Sequence, residues 1–263
     1  INLEDIAAPR CFEIEARLKE LCDIPVFHDD QHGTAIVVAA ALLNACKLSK
    51  KKMGELEIVI SGAGAAGSAI AKLLLDMEFG NVILCDKDGI VSEHSLLSEY
   101  QRKLAARTNR EKKCGGLQDA LKGADVLIGV SAPNIVSEEM VRSMAEKAIV
   151  FAMANPIPEI MPEAAKRGGA YIVGTGRSDF PNQINNVLAF PGVFKGALSV
   201  RASDINEPMK IAAAKAIASL VSDEELSCDH IIPDALNKEV SQVIAEAVAQ
   251  AAIDSGVARI KNS

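Results

Sequence analysis

Apolar residues form two kinds of pattern along the chain, and the two kinds alternate through its middle. Continuous apolar runs of about four to eight residues are typical of buried strands, whereas apolar positions at helical spacing over longer stretches predict helices. The predicted strands are 24–27, 56–61, 81–85, 126–130, 149–153 and 171–174. The predicted helices are 13–21, 33–49, 65–77, 208–220 and 237–254. This alternation predicts an α/β fold with a doubly wound, mostly parallel sheet and flanking helical segments at both ends.

Composition narrows the function classes. The 263 residues are 49% hydrophobic and carry a formal net charge of -7, which argues against a dedicated nucleic-acid binder because such proteins need positive surface. The basic stretch 102–113 is interpreted as a solvated helix face. The longest apolar run, 34–46, is too short to cross a membrane, and no signal peptide is present. The six cysteines show no C-x-x-C pair, which indicates reduced thiols and a cytoplasmic location.

A glycine-rich turn joins the predicted strand 56–61 to the predicted helix 65–77. Its sequence over 62–67, Gly-Ala-Gly-Ala-Ala-Gly, has the G-x-G-x-x-G spacing of Rossmann-type dinucleotide sites. The first glycine allows the tight turn, the second lets the backbone approach a pyrophosphate, and the third lets helix and strand pack closely. Asp86 follows the next predicted strand, 19 positions beyond the third glycine, where a ribose-binding carboxylate is expected. This context favours NAD or NADP over a purely structural turn, with a slight preference for NAD because Asp86 repels a 2′-phosphate, although Lys87 could compensate.

Two pairs of adjacent carboxylates lie near the start of the chain, Glu4 with Asp5 and Asp29 with Asp30. Adjacent carboxylates at the end of a buried strand repel one another unless a cation neutralises them. A hard divalent ion such as Mg²⁺ or Mn²⁺ takes oxygen ligands of this kind. Taken alone, the pairs leave two interpretations open: a divalent-metal site, or capping of the helices that follow them.

Zinc is a separate question, because His28 and His32 are four residues apart as in H-E-x-x-H. A helix would have to bring both rings to one side. The segment instead follows a predicted strand and enters a turn, so zinc is disfavoured.

Several separate motifs, in the same order, closely resemble the malic enzymes, especially their compact bacterial-type branch. They lie at 1–6, 28–35, 62–67, 154–156, 185–186, 190–193 and 235–257. The resemblance covers nearly the whole chain. It implies oxidative decarboxylation of (S)-malate to pyruvate and carbon dioxide, with reduction of NAD or NADP and a divalent metal, in a homodimer.

Carried over by position, the resemblance also implies roles for individual residues. The implied metal ligands are Glu4, Asp5 and Asp30. Together with the residue reasoning above, the cofactor-binding set is Gly62, Gly64, Ala65, Ala66, Gly67, Asp86, Lys87, Ser131, Ala132 and Asn155. Asp29 matches the carboxylate that pairs with the family's catalytic lysine. Asn155 and Asn186 match residues that touch malate or the nicotinamide.

The sequence also departs from the family pattern. The family's general-base lysine, general-acid tyrosine and a substrate-binding arginine match nothing in this chain, and neither Tyr100 nor Tyr171 lies in the family's motif. Because residue 1 is Ile rather than Met, we expect an upstream segment to carry these groups. We therefore expect the 263 residues alone to bind dinucleotide but to turn over malate poorly.

The chain is predicted to have three parts. Residues 1–52 form a metal- and substrate-site segment that is the remainder of an N-terminal domain, 53–200 form the dinucleotide-binding domain, and 201–263 form C-terminal helices that pack back on the core. Three alternative functions stay open. A malolactic enzyme would release lactate, a catalytically silent nucleotide-sensing domain would need no metal, and an amino-acid dehydrogenase domain would leave the acidic pairs unexplained.

Overall fold

Parallel strands form the centre of the computed structural model, which describes residues 1–92, 95, 98–235, 237 and 239–260. The strands are β1 (Asn2–Leu3), β2 (Phe27–His28), β3 (Glu57–Ser61), β4 (Asn81–Asp86), β5 (Gly89–Ile90), β6 (Val126–Gly129), β7 (Ile149–Ala152) and β8 (Ile172–Thr175). Within the described residues, six of them form one sheet in the order β5-β4-β3-β6-β7-β8. Only the pairing of β4 with β5 in this sheet is antiparallel. The predicted mostly parallel sheet is confirmed.

Helices connect the strands, and in the described part of the chain three of them follow the last strand. They are α1 (Arg10–Leu21), α2 (Thr34–Ser49), α3 (Ala65–Asp76), α4 (Glu99–Ala105), α5 (Leu117–Leu121), α6 (Glu138–Arg142), α7 (Pro162–Arg167), α8 (Phe190–Ser199), α9 (Glu207–Ser219) and α10 (Val240–Asp254). The five predicted helices lie within a few residues of α1, α2, α3, α9 and α10. Sequence periodicity did not predict α4 to α8, because most of them are too short for a helical repeat to appear.

Side chains of the central strands alternate between two cores. On β3, Ile58 and Ile60 belong to the core that contains residues of α2, α3 and α9. Val59, between them, belongs to the core that contains Leu121 and Val141 of α5 and α6. Full burial of an aliphatic side chain of this size stabilises the fold by about 1.5–3 kcal/mol. Helices thus cover both faces of the sheet, which is the doubly wound arrangement.

Helix α2 is buried on nearly every side, as its apolar sequence predicts. It packs against α3 and α9. Among the described residues, the helical stretch Asp29–Ser49 is long and apolar enough by composition to cross a membrane, but 72% of its most apolar window is buried inside the fold. Core helices share this property, so the stretch acts here as a core element.

Strands β1 and β2 form a separate parallel pair outside the main sheet, with Asn2 opposite Phe27. The predicted strand 24–27 was therefore wrong in position. Pro25 has no N–H for a ladder, and the ladder begins where the Phe27 N–H donates to the Ile1 carbonyl at 3.0 Å. Because β1 and β2 are parallel and in register, the acidic pairs that follow them emerge at the same end.

The basic stretch 102–113 does not form one helix face, so that interpretation was wrong beyond Ala105, where α4 ends. The chain then turns, and the Asn109 N–H donates to the Val82 carbonyl at 2.7 Å. Val82 lies on β4, whose outer edge is paired by β5 only at Cys85 and Asp86. The stretch therefore covers the part of the β4 edge that β5 leaves unpaired. The sequence did not indicate this contact.

Candidate active site

The glycine-rich turn between β3 and α3 has a backbone that fits a dinucleotide. Gly62 has a φ of 111°, and a Cβ on it would lie 2.5 Å from the Val130 carbonyl oxygen. A Cβ on Gly67 would overlap the Gly62 carbonyl. Gly64 differs, because a Cβ on it would meet no atom within 4 Å. Two glycines thus allow the turn and its close packing, and the remaining one leaves open space at the start of α3.

The first turn of α3 supplies hydrogen-bond donors to that space. Ala65 and Ala66 begin the helix, and no side chain caps it. Backbone N–H groups of a first helical turn have no partner within the helix and attract anions. Gln101 of α4 steadies the turn by donating from Nε2 to the Ala63 carbonyl at 2.6 Å. These groups suit the pyrophosphate of a dinucleotide.

Asp86 ends β4 directly beside the glycine turn, because Cys85 pairs with Ser61 at the end of β3. Its Oδ1 accepts a hydrogen bond from the Asp88 N–H at 2.8 Å. Lys87 is exposed in the same turn. The carboxylate is thus held by its own turn at the end of β4, beside the glycine turn.

A cavity of about 330 Å³ brings several predicted residues together. Its lining includes Asp30, Ala66, Ser131, Asn155 and Asn186. The described lining does not include the predicted residues Glu4, Asp5, Asp29, Gly62, Gly64, Ala65, Gly67, Asp86, Lys87 or Ala132. A second cavity, of about 390 Å³, lies at the outer side of β4 between 91–92 and 105–114, and its described lining contains none of the predicted residues.

The two acidic pairs lie together, as the sequence predicts. The Asp5 N–H donates to Asp30 Oδ2 at 2.8 Å, and Asp5 has the uncommon φ of 57°. Asn186 Nδ2 donates to Asp29 Oδ2 at 2.6 Å. Burial, and then the charges of Asp30 and Glu4, raise the pKa of Asp29 to about 6. Three carboxylates from two segments, Glu4, Asp29 and Asp30, therefore share one electrostatic environment, and Asp5 joins them through its backbone N–H.

Unpartnered buried atoms make this cluster a good fit for a cation. Asp29 Oδ1 is buried and has no hydrogen-bond partner among the described residues, and the same is true of both ring nitrogens of His28. His28 Nδ1 lies 3.8 Å from Asp30 Oδ2. Carboxylate oxygens of this kind are the donors that Mg²⁺ and Mn²⁺ prefer.

The described side chains do not form a complete set of metal ligands. Among the described residues, no group of three or more His, Cys, Asp or Glu side chains is arranged to hold a metal ion. The assignment of Glu4, Asp5 and Asp30 as ligands therefore stays a prediction, as do the individual cofactor and catalytic roles.

Sequence reasoning missed Glu15, which holds the segment that carries Asp30. Residues Asp29–Gly33 form a π-helical turn. Glu15, a buried carboxylate on α1, accepts hydrogen bonds from Gln31 Nε2 at 3.2 Å and from His32 Nε2 at 2.7 Å. Burial, and then the charge of Lys210, lower the pKa of His32 to about 4, so the ring is neutral near pH 7. His32 therefore braces the turn. Its Nε2 is engaged by Glu15 and its Nδ1 lies 3.4 Å from Lys210 Nζ, so both ring nitrogens are engaged by protein groups rather than open to zinc.

Comparison with known proteins decides the family. Residues 31–253 match the family profile described as malic enzyme, NAD binding domain. The chain belongs to the malic enzyme family. It is 57% identical to the bifunctional malic/malolactic enzyme of Bacillus subtilis (strain 168), with 99% of this chain aligned to 64% of that protein. It is 54% identical to the NAD-dependent malic enzyme of Geobacillus stearothermophilus, with 100% of this chain aligned to 55% of that protein.

A solved malic enzyme structure also matches the whole fold. The malic enzyme of Pyrococcus horikoshii superposes with a TM-score of 0.94 at 50% identity, covering 100% of this chain and 63% of that one. The predicted Rossmann-type α/β fold is confirmed. The chain thus spans between one half and two thirds of the length of these malic enzymes.

Proposed function

We propose that this chain carries the dinucleotide site and part of the divalent-metal site of an enzyme that oxidatively decarboxylates (S)-malate. The products are pyruvate, carbon dioxide and NADH or NADPH. The cavity lined by Asp30, Ala66, Ser131, Asn155 and Asn186 is the observation that carries the proposal. It joins the acidic segment to the glycine turn and to the loops after β6 and β7, so metal, substrate and nicotinamide could meet there.

Glu4, Asp5 and Asp30 are the proposed metal ligands, because their segments meet beside an unpartnered carboxylate oxygen. Hydride transfer to the nicotinamide, with loss of the hydroxyl proton, would first convert C2 of malate to a ketone. A divalent cation held there would then supply Lewis-acid stabilisation of the charge that develops on the C2 oxygen of this keto acid as its β-carboxylate leaves as carbon dioxide. The chain's own contribution is to keep this acidic loop in one position, through the Asp5–Asp30 hydrogen bond and through Glu15.

Asp29 has a separate proposed role. Asn186 occupies its Oδ2, which leaves Oδ1 to accept a proton donor. A lysine ammonium of the kind that the family uses as its base would satisfy that oxygen. Asp29 would then orient the lysine, and Asn155 and Asn186 would bind malate or the carboxamide of nicotinamide.

The proposed cofactor is a nicotinamide dinucleotide, with NAD slightly preferred over NADP. A carboxylate at Asp86 repels a 2′-phosphate, and Lys87 is the nearby cation that could offset the repulsion. Named relatives include both NAD-dependent and NADP-dependent malic enzymes. Titrating NADH and NADPH by nicotinamide fluorescence tests the choice, and tighter binding of NADPH would contradict it.

The reaction is tested by product analysis on a protein of full family length that contains this chain. With malate, NAD and Mn²⁺, we expect pyruvate, and we expect turnover to stop when the metal is chelated. Lactate as the main product would indicate malolactic chemistry. Dinucleotide binding that neither metal nor malate affects would indicate a nucleotide-sensing domain instead.

The remaining proposals concern organisation. We keep the division into 1–52, 53–200 and 201–263, and we propose a homodimer in the cytoplasm. The cysteines support a reducing compartment, because the described residues contain six free thiols and Cys11, Cys46 and Cys85 are buried. Sedimentation analysis of the purified protein tests the dimer.

A further inference from the structure

Glu159 is a fully buried carboxylate that lies between two loops of the proposed active site. It is 0% exposed. Its Oε1 accepts hydrogen bonds from the Ser131 N–H at 2.7 Å and from Ser131 Oγ at 3.2 Å. Its Oε2 accepts one from the Ala154 N–H at 3.1 Å. Ser131 follows β6 and Ala154 follows β7, so one side chain joins the two loops.

This arrangement is unusual for a buried acid. In the part of the chain that the structure describes, no Lys or Arg nitrogen lies within ion-pairing distance of Glu159. A buried carboxylate without a cation is costly unless hydrogen-bond donors replace the lost water. Here the donors come from the two loops. The sheet also makes room, because a Cβ on Gly129 of β6 would overlap this carboxylate.

Pairing of the strands does not require Glu159. Strands β6 and β7 are already in register from Val126 opposite Ile149 to Gly129 opposite Ala152. The hydrogen bonds of Glu159 begin just beyond that ladder, where the strands end and the cavity begins. Glu159 therefore connects the two loops and does not contribute to the pairing of the strands.

The topology indicates which half of a dinucleotide these loops would contact. The pyrophosphate belongs at the glycine turn after β3, and Asp86 on β4 belongs to the adenosine ribose. Since β4 and β6 flank β3 on opposite sides, the nicotinamide half extends towards β6 and β7. Ser131 and Asn155 lie there, in the lining of the cavity.

We propose that Glu159 is a positioning residue that sets the relative placement of the loops after β6 and β7 and thereby shapes the nicotinamide site. The inference rests on the proposed dinucleotide function. Glu159→Gln tests it, because a carboxamide has the same shape but only one acceptor oxygen. The glutamine oxygen can accept a hydrogen bond from one loop, but its NH₂ group would face a backbone N–H of the other loop, and two donors cannot form a hydrogen bond.

The experiment separates the two halves of the cofactor. NADH contains the dihydronicotinamide ring, whereas ADP-ribose contains both phosphates and both riboses without the ring. We expect Glu159→Gln to weaken NADH binding at least about tenfold, as loss of a charge-assisted hydrogen bond implies. ADP-ribose binding should change by less than about threefold, since the second ribose is the only part of the nicotinamide half that it contains and its other contacts lie at β3 and β4. Glu163→Gln is the matched control, because Glu163 is exposed in the first turn of α7, four residues away.

The outcomes distinguish this inference from the proposed function. If the unaltered chain binds neither NADH nor ADP-ribose, the dinucleotide function itself fails. If the unaltered chain binds both ligands and Glu159→Gln affects neither, or weakens both equally, the positioning role is overturned.

A folding defect is handled by a second variant. If circular dichroism shows that Glu159→Gln is unfolded, Glu159→Asp replaces it, because the shorter side chain retains the charge but cannot reach both loops. The same selective loss of NADH binding is expected. Unfolding of both variants would show that Glu159 is needed for folding, and it would overturn the proposal.

Discussion

Gly64 shows most directly how a single residue can separate folding from binding. A Cβ there would meet no atom of the described residues within 4 Å, and the φ of −76° at Gly64 suits any residue. We therefore expect Gly64→Val to fold normally while its side chain occupies the space for the pyrophosphate, which lowers NADH affinity at least about tenfold. Fluorescence titration measures this change.

Gly116 provides the matched control for that substitution. It is also the N-cap of a helix, α5, with a φ of −91°, and a Cβ on it would likewise meet no atom within 4 Å. Gly116→Val should leave NADH binding unchanged. Equal binding by the Gly64 and Gly116 variants would place the dinucleotide elsewhere.

Asp30 is the residue at which the metal proposal is tested. Asp30→Asn removes the charge but keeps the shape, so we expect Mn²⁺ affinity to fall at least about tenfold, by analogy with the loss of groups around metal sites. Mn²⁺ titration followed by electron paramagnetic resonance measures it without an activity assay. Asp23→Asn, at an exposed position, is the control. Unchanged Mn²⁺ affinity in the Asp30 variant would make the ligand assignment wrong.

Residue type alone allowed some site residues to be predicted and not others. The glycine turn and the acidic pairs are recognisable because each contains several unusual residues in a row. Glu15 and Glu159 are single acids, and residue type alone does not show whether a single acid is buried in the fold or exposed to solvent. The available signals were weak: Glu15 is three residues beyond the buried Phe12 on α1, and Glu159 lies between Pro158 and Ile160.

At the scale of elements, an ion network joins α9 to α3. Lys210 is only 4% exposed and donates to Glu207 Oε1 at 2.6 Å. Lys72 of α3 lies 2.8 Å from the same oxygen and also pairs with Asp76 at 2.7 Å. Burial raises the pKa of Glu207, but Lys210 and Lys72 together outweigh it and lower the pKa to about 2. The network therefore links two helices that pack on the same face of the sheet.

We predict that Glu207→Gln lowers the free energy of unfolding by roughly 1–3 kcal/mol near neutral pH, because it leaves the buried Lys210 without its carboxylate. The folded-state pKa of about 2 lies below the ordinary value of 4.5. The contribution of Glu207 is therefore complete above about pH 4.5 and is lost as the pH falls towards 2. Urea unfolding at pH 7 and pH 3 should show a smaller difference between variant and parent at pH 3. Glu224→Gln, at an exposed site, serves as the control, and a pH-independent difference would contradict the prediction.

Elements were predictable from sequence where burial is uniform. Strands β3, β4, β6, β7 and β8 lie within about one residue of their predicted bounds, because parallel strands covered on both faces are continuously apolar. The pair β1 and β2 was not predictable in position, since a two-residue strand carries no periodicity. That pair nevertheless places the acidic residues. Their convergence was expected from the resemblance to the malic enzymes and from carboxylate chemistry, and not from the apolar pattern.

At the scale of the whole molecule, the chain aligns over nearly all its length with only part of each relative. The resemblance to the family implies a catalytic lysine, tyrosine and arginine, and we match none of them to a residue of this sequence. We predict that the 263 residues bind NADH with an affinity similar to that of a protein of the relatives' length that contains them, while kcat for malate is at least about 100-fold lower, as loss of a general acid or base implies. Steady-state kinetics on both forms checks this, and equal kcat values would require another base within the chain.

The short pairing of β1 with β2 has a consequence for how a cation would bind. Glu4 and Asp5 are connected to the body of the protein through a ladder of two residue pairs and the Asp5–Asp30 hydrogen bond. Such a connection opens more readily than the main sheet, and cation affinity falls by the fraction of molecules in which it is open. Cation binding and closure of the β1–β2 pair should therefore stabilise each other. Mn²⁺ should slow amide hydrogen exchange at Asp5 and Phe27 while exchange at Ile60 stays the same. The bound ion would thus stabilise the closed form of the segment that binds it.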